Sequence, residues 1–351
     1  MRVVFRVDAS LQMGTGHVMR CLTLAKVLKG NGVNVEFICR KHEGNLIDKI
    51  RSNGFNTFEL ELLEDNKVDN KLFYSHWLGS TQQQDAKDCL SVLQLGKVHL
   101  LIVDHYGIDE DWQQDLKAYY DKLMVIDDLA DRKHQCDILL DQTFGCQQRD
   151  YESLVPASCK LLLGSKYALL RPEFIKWRQY SLERRKHPVF KQLLINMGGV
   201  DVKNITEKIV KELKSCNLPS DLSIVVVMGA AAPHLKSVIA QVNNLPYNTE
   251  VEIDVKNMAE IMANSDIAIG ASGTTTWERC CLGLPTIQII AAYNQMAIAN
   301  HLDKINAIKL SEVNNLSEKL ETAKYWMSDF SVNASRVCDG TGVAIVAKHL
   351  Q

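Results

Sequence analysis

An α/β chain of two domains, each built on a parallel sheet, is the fold this sequence predicts, and three observations predict it. Its 351 residues exceed what one hydrophobic core usually organises, and 46% of them are hydrophobic, enough to bury two. Short apolar runs, the pattern of strands buried on both faces, recur along the chain and alternate with helix-spaced patterns. The alternation restarts after a charged stretch at residues 172–188, so that two βα series follow one another.

The first series places strands at Val3–Val7, Val35–Cys39, His99–Val103, Leu123–Ile126, Ile138–Leu140 and Leu161–Leu163. Between the first two, Val18, Cys21, Leu22, Ala25 and Leu28 follow three-and-four spacing and predict a helix that Gly30 and Gly32 can end. From Pro172 to Pro188 the chain turns polar and carries Arg184-Arg185-Lys186-His187, which reads as a solvated connecting helix and not as a phosphate site. The second series has strands near Leu193–Asn196, Leu222–Val227, Thr249–Ile253, Ile267–Gly270 and Thr286–Ile290. A last helical run, Gly342–Leu350, is free to return to the first domain. The expected division is 1–171, a linker at 172–188, 189–335, and a C-terminal helix within 336–351 packing on the first domain.

Composition excludes several classes. The formal net charge is -2 and the basic residues are dispersed, which argues against a nucleic-acid partner. Ten cysteines show neither a CxxC nor a Cys/His spacing suited to zinc and read as reduced, packed thiols. The longest apolar stretches, Leu100–Val103 and Ile224–Met228, are strand-sized, far short of the about 20 residues of a membrane span. The start of the chain reads as a strand and not as a signal peptide, so a cytoplasmic protein with no membrane partner is expected.

Open parallel sheets bind ligands at the carboxyl ends of their strands. His17, Asp104-His105-Tyr106-Gly107, Gly198-Gly199 and Ser272-Gly273-Thr274 all fall at such ends, and two facing sheets would line a central cleft with them. Met13-Gly14-Thr15-Gly16-His17-Val18-Met19-Arg20 runs from strand through a glycine turn into a helix. Glycines there allow positive φ and close ligand approach, and the helix start welcomes negative charge. A neutral histidine at that address is a useful general base; the alternative is a turn that His17 merely caps.

In the second half, Asn196-Met197-Gly198-Gly199-Val200-Asp201 follows a strand and Asn204 opens the next helical region. A small backbone with exposed N–H groups can wrap a diphosphate without a metal, although an ordinary turn also explains the glycine pair. In Ile269-Gly270-Ala271-Ser272-Gly273-Thr274-Thr275-Thr276-Trp277-Glu278, Thr274 or Ser272 is a candidate N-cap. Glu278, one turn into the helix, is placed to accept both ribose hydroxyls, or else to face solvent. The Asp127-Asp128 pair suggests a metal only superficially, because its neighbours lack ligand spacing. No metal and no cofactor are expected.

The GxGH turn, the MGGxDxxN segment from Met197 to Asn204 and the GASGTTTWE segment ending at Glu278 together resemble the UDP-2,4-diacetamido-2,4,6-trideoxy-β-L-altropyranose hydrolases of pseudaminic acid biosynthesis. Asp104-His105-Tyr106-Gly107, Ile126 to Arg132 and Cys136 to Gln142 strengthen the likeness, which spans roughly residues 1 to 300. It implies a GT-B fold of two Rossmann-like domains related to the MurG-type glycosyltransferases, and release of UDP and free sugar by inverting attack of water. It also implies His17 as the catalytic base, with Gly14, Gly16, Arg6, Asp8 and Tyr106 at the sugar end and Asp8 as a candidate to orient His17. For Tyr106, packing within its loop is an equal alternative. The same resemblance gives the nucleotide to the second domain: Gly198, Gly199, Ser272, Gly273 and Thr274 for the diphosphate, Glu278 for the ribose, Met228 and Met258 beside the uracil, and Asn294 and Gln295 at the sugar, with Asp201 and Asn204 as further substrate-binding candidates. Asn306 stands where a glycine is common, and asparagine can adopt the left-handed turn.

The partners expected are thus a UDP-sugar and water, acting on a monomer. A GT-B glycosyltransferase, with His17 activating an acceptor hydroxyl, is the second reading, and a nonenzymatic nucleotide-sugar-binding protein the third. A transferase acting on a lipid acceptor would carry a membrane-docking patch in its first domain, and none is evident in the sequence.

Overall fold

A computed structural model of the chain describes residues 1–63, 71–292 and 295–350. The chain divides into two compact units, Met1–Leu169 with Gly342–Gln351, and Leu170–Thr341.

The first unit holds seven strands: β1 (Arg2–Val7), β2 (Asn34–Arg40), β3 (Asn56–Leu60), β4 (Val98–Asp104), β5 (Tyr120–Ile126), β6 (Ile138–Asp141) and β7 (Lys160–Leu163). They pair in parallel in the order β3-β2-β1-β4-β5-β6-β7. The order reverses beside β1, so the loops leaving β1 and β4 part to opposite faces of the sheet and open a crevice there. β1 reads RVVFRV and is sealed on both sides, with Val3, Phe5 and Val7 facing one core and Val4 the other. β3 is absent from the sequence expectation because NTFEL is a half-exposed edge strand without a continuous apolar run.

The helix Gly16–Gly30 follows β1 and buries Val18, Cys21, Leu22, Leu24, Ala25 and Leu28. Its chain turns away at Gly32, whose φ of 81° suits glycine. The final helix, Gly342–Leu350, adds Val343, Val346, Ala347 and Leu350 to the same core, each of the larger ones worth ~1.5–3 kcal/mol in transfer from water. Gly342 lies so close to the backbone of Ala168 that any Cβ would collide with it.

The second unit holds β8 (Gln192–Asn196), β9 (Ser223–Met228), β10 (Asn248–Ile253), β11 (Ile267–Ala271), β12 (Thr286–Ile289) and β13 (Lys309–Leu310), parallel in the order β10-β9-β8-β11-β12-β13. Its reversal lies between β8 and β11, where Asn196 pairs with Gly270. Asn306, just before β13, takes the left-handed conformation at φ 54°.

Residues 172–188, read from sequence as a linker, belong to this second unit, and Pro172–Arg184 is a helix docked within it. The basic run that ends it is not simply solvated. Arg185 is buried and donates to the carbonyls of Met262, Ser265 and Leu282, while Arg184 pairs with Asp266 at 2.5 Å. Those carbonyls end the helices Met258–Asn264 and Thr275–Cys281, where the dipole favours a cation. Among the described residues no helix is long and apolar enough to cross a membrane.

Candidate functional site

In the first unit the turn after β1 is held by Ser10, whose carbonyl accepts from Gly14 N–H and whose hydroxyl accepts from Gln12 and Met13. Gly14 has φ 74°, a conformation that a side chain would strain, and Gly16 starts the helix. This places His17 in the first turn, 8% exposed, at the sheet's reversal point.

The end of β4 meets it there. The His17 ring meets Asp104 at Nδ1 over 2.7 Å, with Arg20 Nη2 3.2 Å from the same nitrogen; a carboxylate can only accept, so in the neutral ring Nδ1 carries the proton and Nε2 is the acceptor. Nε2 makes no hydrogen bond among the described residues. Asp104 is gripped by Arg20, which donates from Nε and Nη2 at 2.7 Å each. Burial pushes the Asp104 carboxyl up, but Arg20 and His17 more than offset it and hold it well below the usual range. Arg20 stands three residues after His17 on the same helical face and also pairs with Asp128 at 2.9 Å. Tyr106 lies edge-on to the imidazole, centroids 4.7 Å apart, and its hydroxyl donates to Asp128. Trp77 stacks on Tyr106 at 5.5 Å, so aromatic rings wall one side of the histidine.

Two sequence expectations are corrected here. Asp8 does not orient His17: its carboxylate takes Arg6 at 2.6 Å and the backbone N–H of Arg40 at 2.6 Å. Arg6 and Asp8 are also not sugar contacts. Both side chains are without accessible surface, and Arg6 is forked onto Asp85 besides. They form a buried ion-pair network with Arg40 under the site. Asp127, the other half of the acidic pair, is joined to Arg132 at 2.9 Å and to the Tyr151 hydroxyl.

In the second unit Gly198 has φ 101°, and Gly199 offers its carbonyl to Gly229 N–H at 3.1 Å, a backbone approach that leaves no room for a Cβ on Gly229. The first N–H groups of the helix Ile205–Leu213 are not free for a phosphate. Asp201 takes those of Ile205 and Thr206 at 2.9 and 2.7 Å, so its role is a cap, contrary to its expected place among ligand contacts. Asn204 is a left-handed turn residue whose amide donates to Glu207. Met228 is sealed in the core and Met258 nearly so; at the end of β9 it is the backbone of Gly229 that reaches the strand-end loop, not the Met228 side chain.

The turn after β11 divides by depth. The Ser272 hydroxyl is buried and donates to Gln288 Oε1 at 3.0 Å, which withdraws it from ligand contact, while Gly273, Thr274, Thr275 and Glu278 are partly exposed. Thr274 precedes the helix Thr275–Cys281 without making a side-chain cap. Glu278 faces Arg171 at 3.5 Å, and burial raises its carboxyl above the ordinary range with Arg171 and Arg279 opposing. Gln295 turns its side-chain oxygen back to Ala291 N–H. Asn294 lies outside the described residues.

Sequence reasoning left Asp104, Arg20, Trp77 and Arg279 without roles. For Arg20 a signal existed, a cation one turn from His17; for Trp77 there was none, since it comes from a distant loop.

Residues 193–329 match the glycosyltransferase family 28 C-terminal domain. A UDP-2,4-diacetamido-2,4,6-trideoxy-beta-L-altropyranose hydrolase of Campylobacter jejuni is 31% identical over 305 residues, covering 87% of this chain and 97% of that protein. An uncharacterized protein of Methanocaldococcus jannaschii is 27% identical over 91% of this chain and 61% of its own length. Among solved structures, MurG of Acinetobacter baumannii has a TM-score of 0.67 at 17% identity, covering 100% of this chain and 99% of its own, a likeness of fold.

Proposed function

We propose, from the premise that this chain belongs to the UDP-2,4-diacetamido-2,4,6-trideoxy-β-L-altropyranose hydrolase family, that it cleaves that nucleotide sugar with water, using His17 as the base. The fold is the two-domain α/β GT-B type seen in MurG. The observation that carries the assignment of the base is the His17–Asp104 pair at 2.7 Å, with Nε2 left open on the other side of the ring.

The chemistry follows from that tautomer. Nε2 removes a proton from water as the water oxygen bonds the anomeric carbon on the face opposite UDP. The anomeric C–O bond breaks, its electron pair leaves with the diphosphate, and the sugar inverts. UDP is a good leaving group, so the paired carboxylates of ordinary glycoside hydrolysis are not needed. Asp104 stays ionised throughout, balancing the imidazolium that forms. Gly198, Gly199, Gly273 and Thr274 are the groups proposed to meet the diphosphate, Glu278 the ribose, and Gly14 and Gly16 the sugar; Tyr106 is buried, with its hydroxyl on Asp128 and its ring on Trp77, which favours packing over sugar contact.

Incubation with the nucleotide sugar in ¹⁸O water, without acceptor or added metal, tests this. The label is expected in a sugar of inverted anomeric configuration. Label in UDP would overturn C–O cleavage; no turnover until an acceptor is added would turn the reading to a glycosyltransferase of the same fold.

Glu278→Ala is expected to weaken UDP binding by about tenfold in calorimetry, the value of one charge-assisted hydrogen-bonded pair, with kcat changed less. Unchanged affinity would remove its role at the ribose.

A further inference from the structure

Buried arginines in this protein are compensated, with one exception. Arg6, Arg20, Arg40 and Arg132 each meet a carboxylate within 3 Å. Arg185 meets none so closely but is wrapped by carbonyls at the negative ends of two helices. Arg279 has neither. It is 2% exposed, it has no carboxylate within ion-pairing distance among the described residues, and its Nε is without a hydrogen-bond partner. Its neighbour Glu278 turns to Arg171 instead. Burial, the largest influence, pushes the guanidinium down to about 10, so it still carries its charge at neutral pH. An uncompensated buried charge is costly, and it persists where an external group completes it.

The direction of that charge is defined. Arg279 lies on the helix after β11 but its side chain runs back toward the helix start, as helical side chains do. Nη2 donates to the Ala271 carbonyl at 2.7 Å and to Thr276 Oγ1 at 3.3 Å, and Nη1 to Thr275 Oγ1 at 3.0 Å. Ser272, Gln288 and Thr276 form a hydrogen-bonded chain beside it. The guanidinium lies over Gly270, where a Cβ would come within 2.5 Å of Nη1. Thr275 is the exit: it is partly exposed, accepts the guanidinium bond, and its own hydroxyl proton has no acceptor among the described residues. Accepting a charged donor makes that hydroxyl a stronger donor in turn.

We propose that Arg279 is the buried counter-charge of the nucleotide's diphosphate, a positioning residue that acts through the Thr275 hydroxyl. This rests on the UDP-sugar reading above and adds the source of the positive charge at the turn. A seven-residue helix supplies only a partial charge at its end, whereas the guanidinium supplies a full one in a medium of low dielectric.

The test compares UDP with uridine, which share every contact except the phosphates, using calorimetry for the first and ligand-observed NMR for the second. R279Q keeps a donor for Ala271 and removes the charge; it is expected to weaken UDP by about tenfold or more and uridine by less than about twofold. R279K should retain UDP within about threefold, and T275V, nearly isosteric, should lose about threefold on UDP alone. Equal losses for UDP and uridine would make Arg279 a scaffold of the loop and overturn the proposal, as would unchanged affinities. Should R279Q not fold, T275V decides: an unaltered ratio of UDP to uridine affinity sinks the relay. A folded parent protein that binds no UDP would instead refute the nucleotide reading, before any variant is made.

Discussion

His17→Ala is expected to lower kcat by about 10²–10⁴ while leaving UDP affinity within about twofold, as measured by steady-state turnover and calorimetry on the same preparation. The size is that of a general base acting on water. The separation of the two effects has a structural basis: His17 stands in the first unit on the helix after β1, whereas the groups proposed for UDP stand in the second. Replacing the ring also leaves Asp104 with Arg20, its principal charge partner, so the fold should survive. A parallel loss of UDP affinity would sink this division of labour.

Asp104→Asn is the more informative substitution, because it changes almost no volume and should cost about 10²–10³ in kcat. An asparagine can present its amide to the ring, which then turns its protonated nitrogen toward the substrate and loses the base. Arg20 would lose a carboxylate it holds with two 2.7 Å bonds, but keeps Asp128. The readout that separates positioning from stability is kcat measured beside the thermal midpoint: kcat should fall while KM and Tm change little. A normal kcat with a lowered Tm would show that Asp104 only anchors Arg20.

Much of the site was legible because its residues are local to punctuated turns. The glycines around His17 and at 198–199, and the Ser/Gly/Thr turn after β11, announce themselves by residue type and by following an apolar run. Most of the strands were legible for the same reason, since being covered on both faces writes a continuous apolar segment into the chain. The half-exposed edge strand β3 carries no such segment, and β13 has only two residues.

What stayed hidden were pairings between residues far apart in sequence. Asp8 and Asp104 are both acids at the ends of neighbouring strands, with Val7 opposite Asp104 in the sheet. One further step along the chain turns a side chain to the other face, so Asp8 drops into the Arg6 network while Asp104 meets the helix that carries His17. Asp201 is a local case: it reads as a ligand group in a glycine-rich segment, and its two hydrogen bonds to the N–H groups of Ile205 and Thr206 make it a cap.

By itself, then, the sequence determined the parallel α/β class, the two βα series and the turn that carries His17, because burial pattern and turn chemistry are properties of short segments. The partner of His17 and the aromatic wall beside it were decided only by tertiary structure, because which group meets which depends on strand order and register, and these join segments up to about a hundred residues apart.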